Sequence, residues 1–198
     1  MGLTLQDRQT LLTLARETIT REARRQRLPP VDLDGVSEAL RRDGASFVTL
    51  TRRNGELRGC IGSLEPRRPL VLDVRENALS AAFHDPRFPP VGAEELDDLH
   101  VEISVLSIPQ PLSYDGPDDL IAKLRPGVDG VVIESGWRRA TFLPQVWEKL
   151  PHPRQFLEHL CLKAYLPADA YRRPGLDVYT YQVEKFEEGV NGVNGVNG

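Results

Sequence analysis

The chain has little of what usually announces a chemistry. Its 198 residues hold two cysteines, four histidines and one methionine. No CxxC or HExxH spacing occurs, so no metal site is expected. Two cysteines are also too few to hold a four-cysteine iron–sulfur cluster, and no cofactor is expected. Cys60 and Cys161 stand far apart and read as free thiols rather than a disulfide. No apolar run approaches the roughly 20 residues that cross a bilayer. The first residues lack the apolar centre of a signal peptide, so a cytoplasmic protein without membrane contact is expected. Cationic excess is missing too. The formal net charge is −4 and aromatics make up only 7%, with no interleaving of aromatic and basic residues, which disfavours nucleic acid. What is present suffices for a folded core: 40% hydrophobic and 27% charged residues, in a length that fits one large domain or two small lobes.

Periodicity gives the elements. Residues 4–27 predict an amphipathic helix, with Leu5, Leu12, Ala15, Ile19 and Ala23 on one face. Thr4 is its cap and Pro29-Pro30 its end. A short helix is expected over 36–42, stopped at Gly44. Asn54-Gly55 is a strong hairpin signal, joining strands over 45–53 and 56–64. A helix follows over 69–83. Asp85 to Pro90 holds three prolines in six residues and reads as a rigid loop. A short acidic turn is expected over 93–99. Residues 100–107 alternate, with Val101, Ile103 and Val105 inward and His100, Glu102 and Ser104 opposite. Further on the pattern predicts a helix over 117–124 and a hairpin around Ser135-Gly136. Helices over 145–150 and 154–165 follow, then one strand over 177–186. Residues 189–198 repeat Gly-Val-Asn and are expected to be disordered, without function. Interspersed helices and hairpins predict an α+β fold, an antiparallel sheet core with flanking helices.

The candidate chemistry centres on Leu57-Arg58-Gly59-Cys60-Ile61-Gly62. Two readings of Cys60 stand side by side. In one it is a reactive thiol: alternation places Arg58 on the same strand face, where its charge lowers the thiol pKa, and Gly59 and Gly62 admit a ligand or another backbone. In the other it is a small buried residue and the glycines serve packing. A cysteine nucleophile usually needs a base, and His84 and His100 are the histidines with a claim on that role. Asp85 and Arg87 are candidate substrate-binding residues on the rigid loop, the guanidinium being suited to a carboxylate or phosphate. Glu102 is a candidate on the polar strand face. A His100–Glu102 metal pair lacks a third ligand.

Several separated motifs run in one order along the chain. They are the Leu57–Gly62 stretch, Glu76-Asn77-Ala78 with Ala81-Ala82, Asp85-Pro86-Arg87-Phe88-Pro89-Pro90, and Val101-Glu102-Ile103-Ser104-Val105-Leu106-Ser107. Pro126-Gly127-Val128-Asp129-Gly130-Val131, Leu143-Pro144-Gln145-Val146-Trp147, and Phe156-Leu157-Glu158 with Leu160-Cys161 and Lys163-Ala164 follow. Together they resemble the AMMECR domain family, whose prokaryotic members are called AmmeMemoRadiSam system protein A, over most of the chain. The resemblance implies a single domain over 1–188, with a large lobe holding both termini and a smaller inserted lobe. It implies that the arginine–glycine–cysteine motif lies near an interlobe cleft, and that a Memo-like protein and a radical-SAM protein are partners. It implies no established reaction. Tyr165 stands where the family usually has glycine, which puts a close backbone approach there in question. Two expectations follow. The protein binds or transforms a small anionic metabolite, with Cys60 as thiolate and Arg58 as activator. Alternatively it is a non-catalytic partner of the Memo-like and radical-SAM proteins.

Overall fold

The computed structural model describes residues 2–189, and the Gly-Val-Asn repeat beyond lies outside them. The fold is α+β, in two compact units. One takes the chain up to Leu106 and resumes at Glu184; the other is the inserted stretch Ser107–Val183. No helix among the described residues is long and apolar enough to cross a membrane.

The larger unit opens with α1 (Leu5–Ala23). Its first turn is closed reciprocally. Thr4 Oγ1 accepts the Asp7 N–H at 3.1 Å and Asp7 Oδ2 accepts the Thr4 N–H at 2.9 Å. The buried stripe is Leu11, Leu12, Ala15, Thr18 and Ile19, while Leu5 is exposed. Each large aliphatic on that stripe contributes about 2 kcal/mol by leaving water. The helix stops before Pro29-Pro30, because Arg25 takes a left-handed conformation (φ 55°) just past the Arg24 cap. Then come α2 (Glu38–Arg41), β1 (Asp43–Arg52), β2 (Leu57–Gly62), β3 (Arg68–Pro69), α3 (Leu70–Phe83) and β4 (Leu99–Leu106). Gly44 lies in β1 instead of ending α2; a Cβ there would sit 2.9 Å from Leu70.

The sheet runs β2-β1-β4 and ends on a last strand, Val183–Glu187, with β3 pairing separately to β1. Val48, Leu50, Val101 and Ile103 face α1 and α3 across the core. One buried knot fixes α3 to the sheet. Asp73 accepts hydrogen bonds from Ser46 N–H (2.9 Å), Ser46 Oγ (2.7 Å), Ser63 Oγ (2.8 Å) and Asn77 Nδ2 (2.9 Å). Multiple donors take the place of a cation, as a buried carboxylate requires.

The inserted unit holds β5 (Gln110–Pro111), α4 (Gly116–Lys123), β6 (Gly130–Ser135), β7 (Arg138–Phe142), α5 (Pro153–Lys163) and β8 (Asp177–Tyr181). Its sheet order is β5-β8-β6-β7. Cys161 is buried in its core with Phe156, Leu157 and Leu160. The helix expected over 145–150 is a tighter 3-10 turn, Pro144–Glu148; it places Trp147 flat on Phe156 and hydrogen-bonds its Nε1 to the Asp129 carbonyl at 2.7 Å.

The single strand expected over 177–186 is two strands in two sheets. β8 ends at Tyr181, and β9 (Val183–Glu187) starts after Gln182. Ser107 and Gln182, where the chain enters and leaves this unit, bind each other twice: Ser107 N–H to the Gln182 carbonyl and Gln182 N–H to Ser107 Oγ, both 2.9 Å. Period-two patterning runs through such a break unmarked.

α5 ends in a Schellman turn. The Leu166 N–H reaches the Cys161 carbonyl and the Tyr165 N–H the Leu162 carbonyl, both at 2.9 Å. The left-handed position is filled by Tyr165 (φ 57°) where glycine would be strain-free. An L-residue pays about 1 kcal/mol or more for that conformation.

Candidate functional site

Asn54-Gly55 turns β1 into β2, with Gly55 at φ 85°. The register then pairs Thr49 with Cys60 and, on the other side of β1, Thr49 with Glu102. These three stand on the face opposite the buried Val48, Leu50, Val101 and Ile103. Cys60 is half-buried, and Thr49 Oγ1 donates to its Sγ at 3.3 Å. Among the described residues no other hydrogen bond reaches the thiol. Glu102 is held by Lys185 at 3.1 Å, and His100 by Glu187 at 3.1 Å. Each therefore has its own partner, and no three His, Cys, Asp or Glu side chains among the described residues group as metal ligands.

β2 is an edge strand, and the Asp85–Pro90 loop closes its outer side. Asp85 Oδ2 accepts the Cys60 N–H at 2.9 Å, and Arg87 Nη2 donates to the Cys60 carbonyl at 3.1 Å. A carboxylate and a guanidinium thus stand in for a neighbouring strand. The two are locked together, Arg87 Nε to Asp85 Oδ1 at 2.9 Å and Nη2 to Oδ2 at 2.7 Å. These bonds, chiefly those from Arg87, hold the buried Asp85 carboxyl well below the usual carboxylate range. They raise the Arg87 guanidinium in turn, with Asp85 the main cause. The Arg87 side chain stays 52% exposed, and its Nη1 makes no hydrogen bond among the described residues.

Arg58 goes elsewhere. The β1–β2 register slips between Leu50 and Thr51, whose partners are Gly59 and Leu57, so Arg58 is the extra residue of a β-bulge. Simple alternation with Cys60 is broken there. The Arg58 side chain is buried and clamps Glu95, Nε to Oε2 and Nη2 to Oε1, both at 2.8 Å. Glu95 also takes Arg52 Nη2 at 2.8 Å and the Gly92 N–H at 3.0 Å. With Arg58 first among the causes, its carboxyl falls to about 2. The remaining nitrogen, Arg58 Nη1, is buried without a hydrogen bond, and its guanidinium carbon lies 5.9 Å from the Phe88 ring centroid. Arg87 lies 5.5 Å from the same centroid.

The glycines are filled by the protein itself. A Cβ on Gly59 would lie 2.1 Å from the Ala81 carbonyl oxygen, and one on Gly62 would lie 2.2 Å from the Phe47 ring. Gly59 thus lets α3 approach β2, and Gly62 seats an aromatic ring. Of the residues expected at the site, the structure brings Cys60, Asp85 and Arg87 into direct contact and places Glu102 two strands away on the same face. It carries the Arg58 guanidinium to Glu95. Sequence reasoning missed Thr49 and Glu95. Thr49 was findable, being polar and in phase opposite Val48 and Leu50; nothing local ties Glu95 to Arg58.

A family model described as AMMECR1 matches residues 12–186. The chain belongs to the AMMECR1 family. A protein of Methanothermobacter thermautotrophicus is 43% identical over 187 residues, covering 90% of this chain and 93% of its own. A protein of Methanocaldococcus jannaschii is 40% identical over 162 residues, covering 79% of each. The crystal structure of an uncharacterized protein from Pyrococcus horikoshii is 36% identical and superposes with a TM-score of 0.72, covering 90% of this chain and 89% of that one. The family match spans β2, the proline-rich loop and the whole inserted unit.

Proposed function

We propose that the Cys60 site binds a small anionic molecule through Arg87 and presents it to the Cys60 thiol, which serves as nucleophile or ligand contact. The observation that carries this is the free Nη1 edge of Arg87. Asp85 fixes the other edge of the guanidinium and the Cys60 backbone at once, so the open edge is held in place beside the Cys60 backbone. Two N–H groups on one nitrogen suit an oxygen of a carboxylate or phosphate. Because Asp85 neutralises the guanidinium, the attraction is directional more than coulombic, and binding varies little with salt. Thr49 orients the sulfur, and Arg87, in place of Arg58, is the cation that binds the Cys60 backbone. In this reading the chain acts as an AmmeMemoRadiSam system protein A, beside a Memo-like and a radical-SAM partner.

Alkylation of the full-length protein tests the proposal. Cys161 is buried and burial pushes its thiol pKa up, so label on the folded protein reports Cys60. The anionic reagent iodoacetate should be favoured over neutral iodoacetamide, and Arg87→Ala should abolish that preference. An unchanged reagent ratio in Arg87→Ala, or no labelling of the folded chain, overturns it. Absence of labelling leaves the non-catalytic partner role as the better account.

A further inference from the structure

The two most exposed aromatic rings of the chain are brought together on the inserted unit. Trp137, at the β6–β7 hairpin tip, is 86% exposed, and Tyr165, just past α5, is 84% exposed. Arg138 joins them. Its guanidinium carbon lies 5.3 Å from the Trp137 ring centroid, and its Nη1 donates to the Tyr165 carbonyl at 2.6 Å. Leu162, one turn back on α5, is 55% exposed. Lys163 bonds the Thr141 carbonyl at 2.9 Å.

Two independent features set this patch apart. The first is charge. Arg125, Arg139, Arg154, Arg172 and Arg173 of this unit all meet a carboxylate. Among the described residues Arg138, unlike those arginines, meets only a carbonyl and a ring, and Lys163, like Lys149, meets no carboxylate but bonds a carbonyl and lies over the Phe142 ring. The second is strain. Tyr165 occupies a left-handed position that glycine fills without penalty, and its ring gains almost no burial within the chain in return.

We propose that Trp137, Tyr165 and Leu162, with Arg138 and Lys163, form a docking surface for a short acidic, apolar segment of a partner protein. Trp, Tyr and Arg are the side chains that dominate binding energy at protein interfaces. The two rings expose roughly 300–400 Å², close to the largest apolar patch of an ordinary monomer. That is about half of one side of a standard interface, so the patch fits a peptide-like segment better than a broad rigid face. Two cations without carboxylate partners ask for an acidic ligand. They are fewer than the roughly 4–8 basic residues that hold a protein on an anionic membrane, which favours protein over lipid.

The test uses the full chain and three probes. These are a short fluorescein-labelled peptide of glutamate, leucine and serine, its lysine-for-glutamate counterpart, and vesicles of phosphatidylcholine with phosphatidylserine. Trp147 is buried, so changes in tryptophan emission and iodide quenching report Trp137. The acidic peptide should bind, shift the emission to the blue and protect it from iodide, while the basic peptide should not. Trp137→Ala and Arg138→Glu should each weaken binding by about tenfold or more. Tyr165→Gly should weaken binding while raising the melting temperature, which separates loss of contact from loss of fold. No acidic-peptide binding, or binding indifferent to these substitutions, overturns the proposal. Vesicle binding that depends on Trp137 without peptide binding overturns it in favour of a membrane.

Discussion

The carboxylate of Asp85 accepts the backbone N–H of Cys60 at 2.9 Å. That one bond ties the proline-rich loop to the edge of the sheet, and through it Arg87 reaches the Cys60 carbonyl. An edge strand without such cover offers its backbone to other chains. Here the groups that cover it are also the candidate binding residues, so strand protection and the candidate site share the same two side chains.

Gly59 sets how closely α3 approaches β2. Replacing it by alanine forces a Cβ to 2.1 Å from the Ala81 carbonyl oxygen, a backbone atom that cannot swing aside. Gly59→Ala should cost about 3 kcal/mol, seen as a lower urea midpoint. Gly55→Ala at the hairpin tip meets open space and bears only the strain of φ 85°, so it should cost about 1 kcal/mol.

Arg58 should behave as a structural residue. Removing it leaves Glu95 with only the partly exposed Arg52 as counter-charge. Arg58→Ala should destabilise by about 3 kcal/mol, because a buried charge loses its partner. The alkylation rate of Cys60 in the remaining folded fraction should match wild type. A slowed rate at constant stability would return Arg58 to the thiol.

Much of this arrangement could be read from the sequence, and the exceptions share a cause. Asn54-Gly55, the Thr4 cap and the alternation over 100–103 are local signals, and each falls where the residues place it, whereas Ser104 is buried and Val105 only partly so, against the alternation expected there. The bulge at Arg58 depends on how β2 registers against β1, a pairing between strands that neither strand's own pattern states. The break at Gln182 is similar: the alternation persists, but the sheet it serves changes. The Arg58–Glu95 pair spans 37 positions and is made only when the 3-10 turn Ala93–Asp98, which precedes β4, docks. Asp85 and Arg87 were legible because a loop of three prolines leaves few conformations and presents its polar residues in a fixed order.

Acid should unfold the protein partly through Glu95. Its carboxyl titrates near 2 in the folded chain and near 4.5 when unfolded. Between those values the unfolded chain binds more protons, so stability falls as pH drops. The contribution is complete above about pH 4.5 and is lost on the way down to about 2. Asp85, also depressed, adds a loss of the same sign that begins below about pH 3.8. Glu95→Gln should flatten the fall in melting temperature between about pH 4.5 and 2. An unchanged slope would mean that Glu95 keeps similar proton affinity folded and unfolded.

Tyr165→Gly should stabilise the isolated protein. The Schellman turn that ends α5 needs a left-handed residue, and two backbone hydrogen bonds already hold it there. Glycine takes that conformation without a Cβ clash, a gain of about 1 kcal/mol. It is offset in part because the unfolded glycine chain has more freedom to lose. The exposed ring contributes little burial to weigh against this. Tyr165→Ala keeps the Cβ and should not show the gain, so the pair of substitutions separates strain from side-chain loss. Chemical denaturation of both variants beside wild type gives the comparison. If the glycine variant is less stable than wild type, the ring makes contacts within the chain that outweigh its strain.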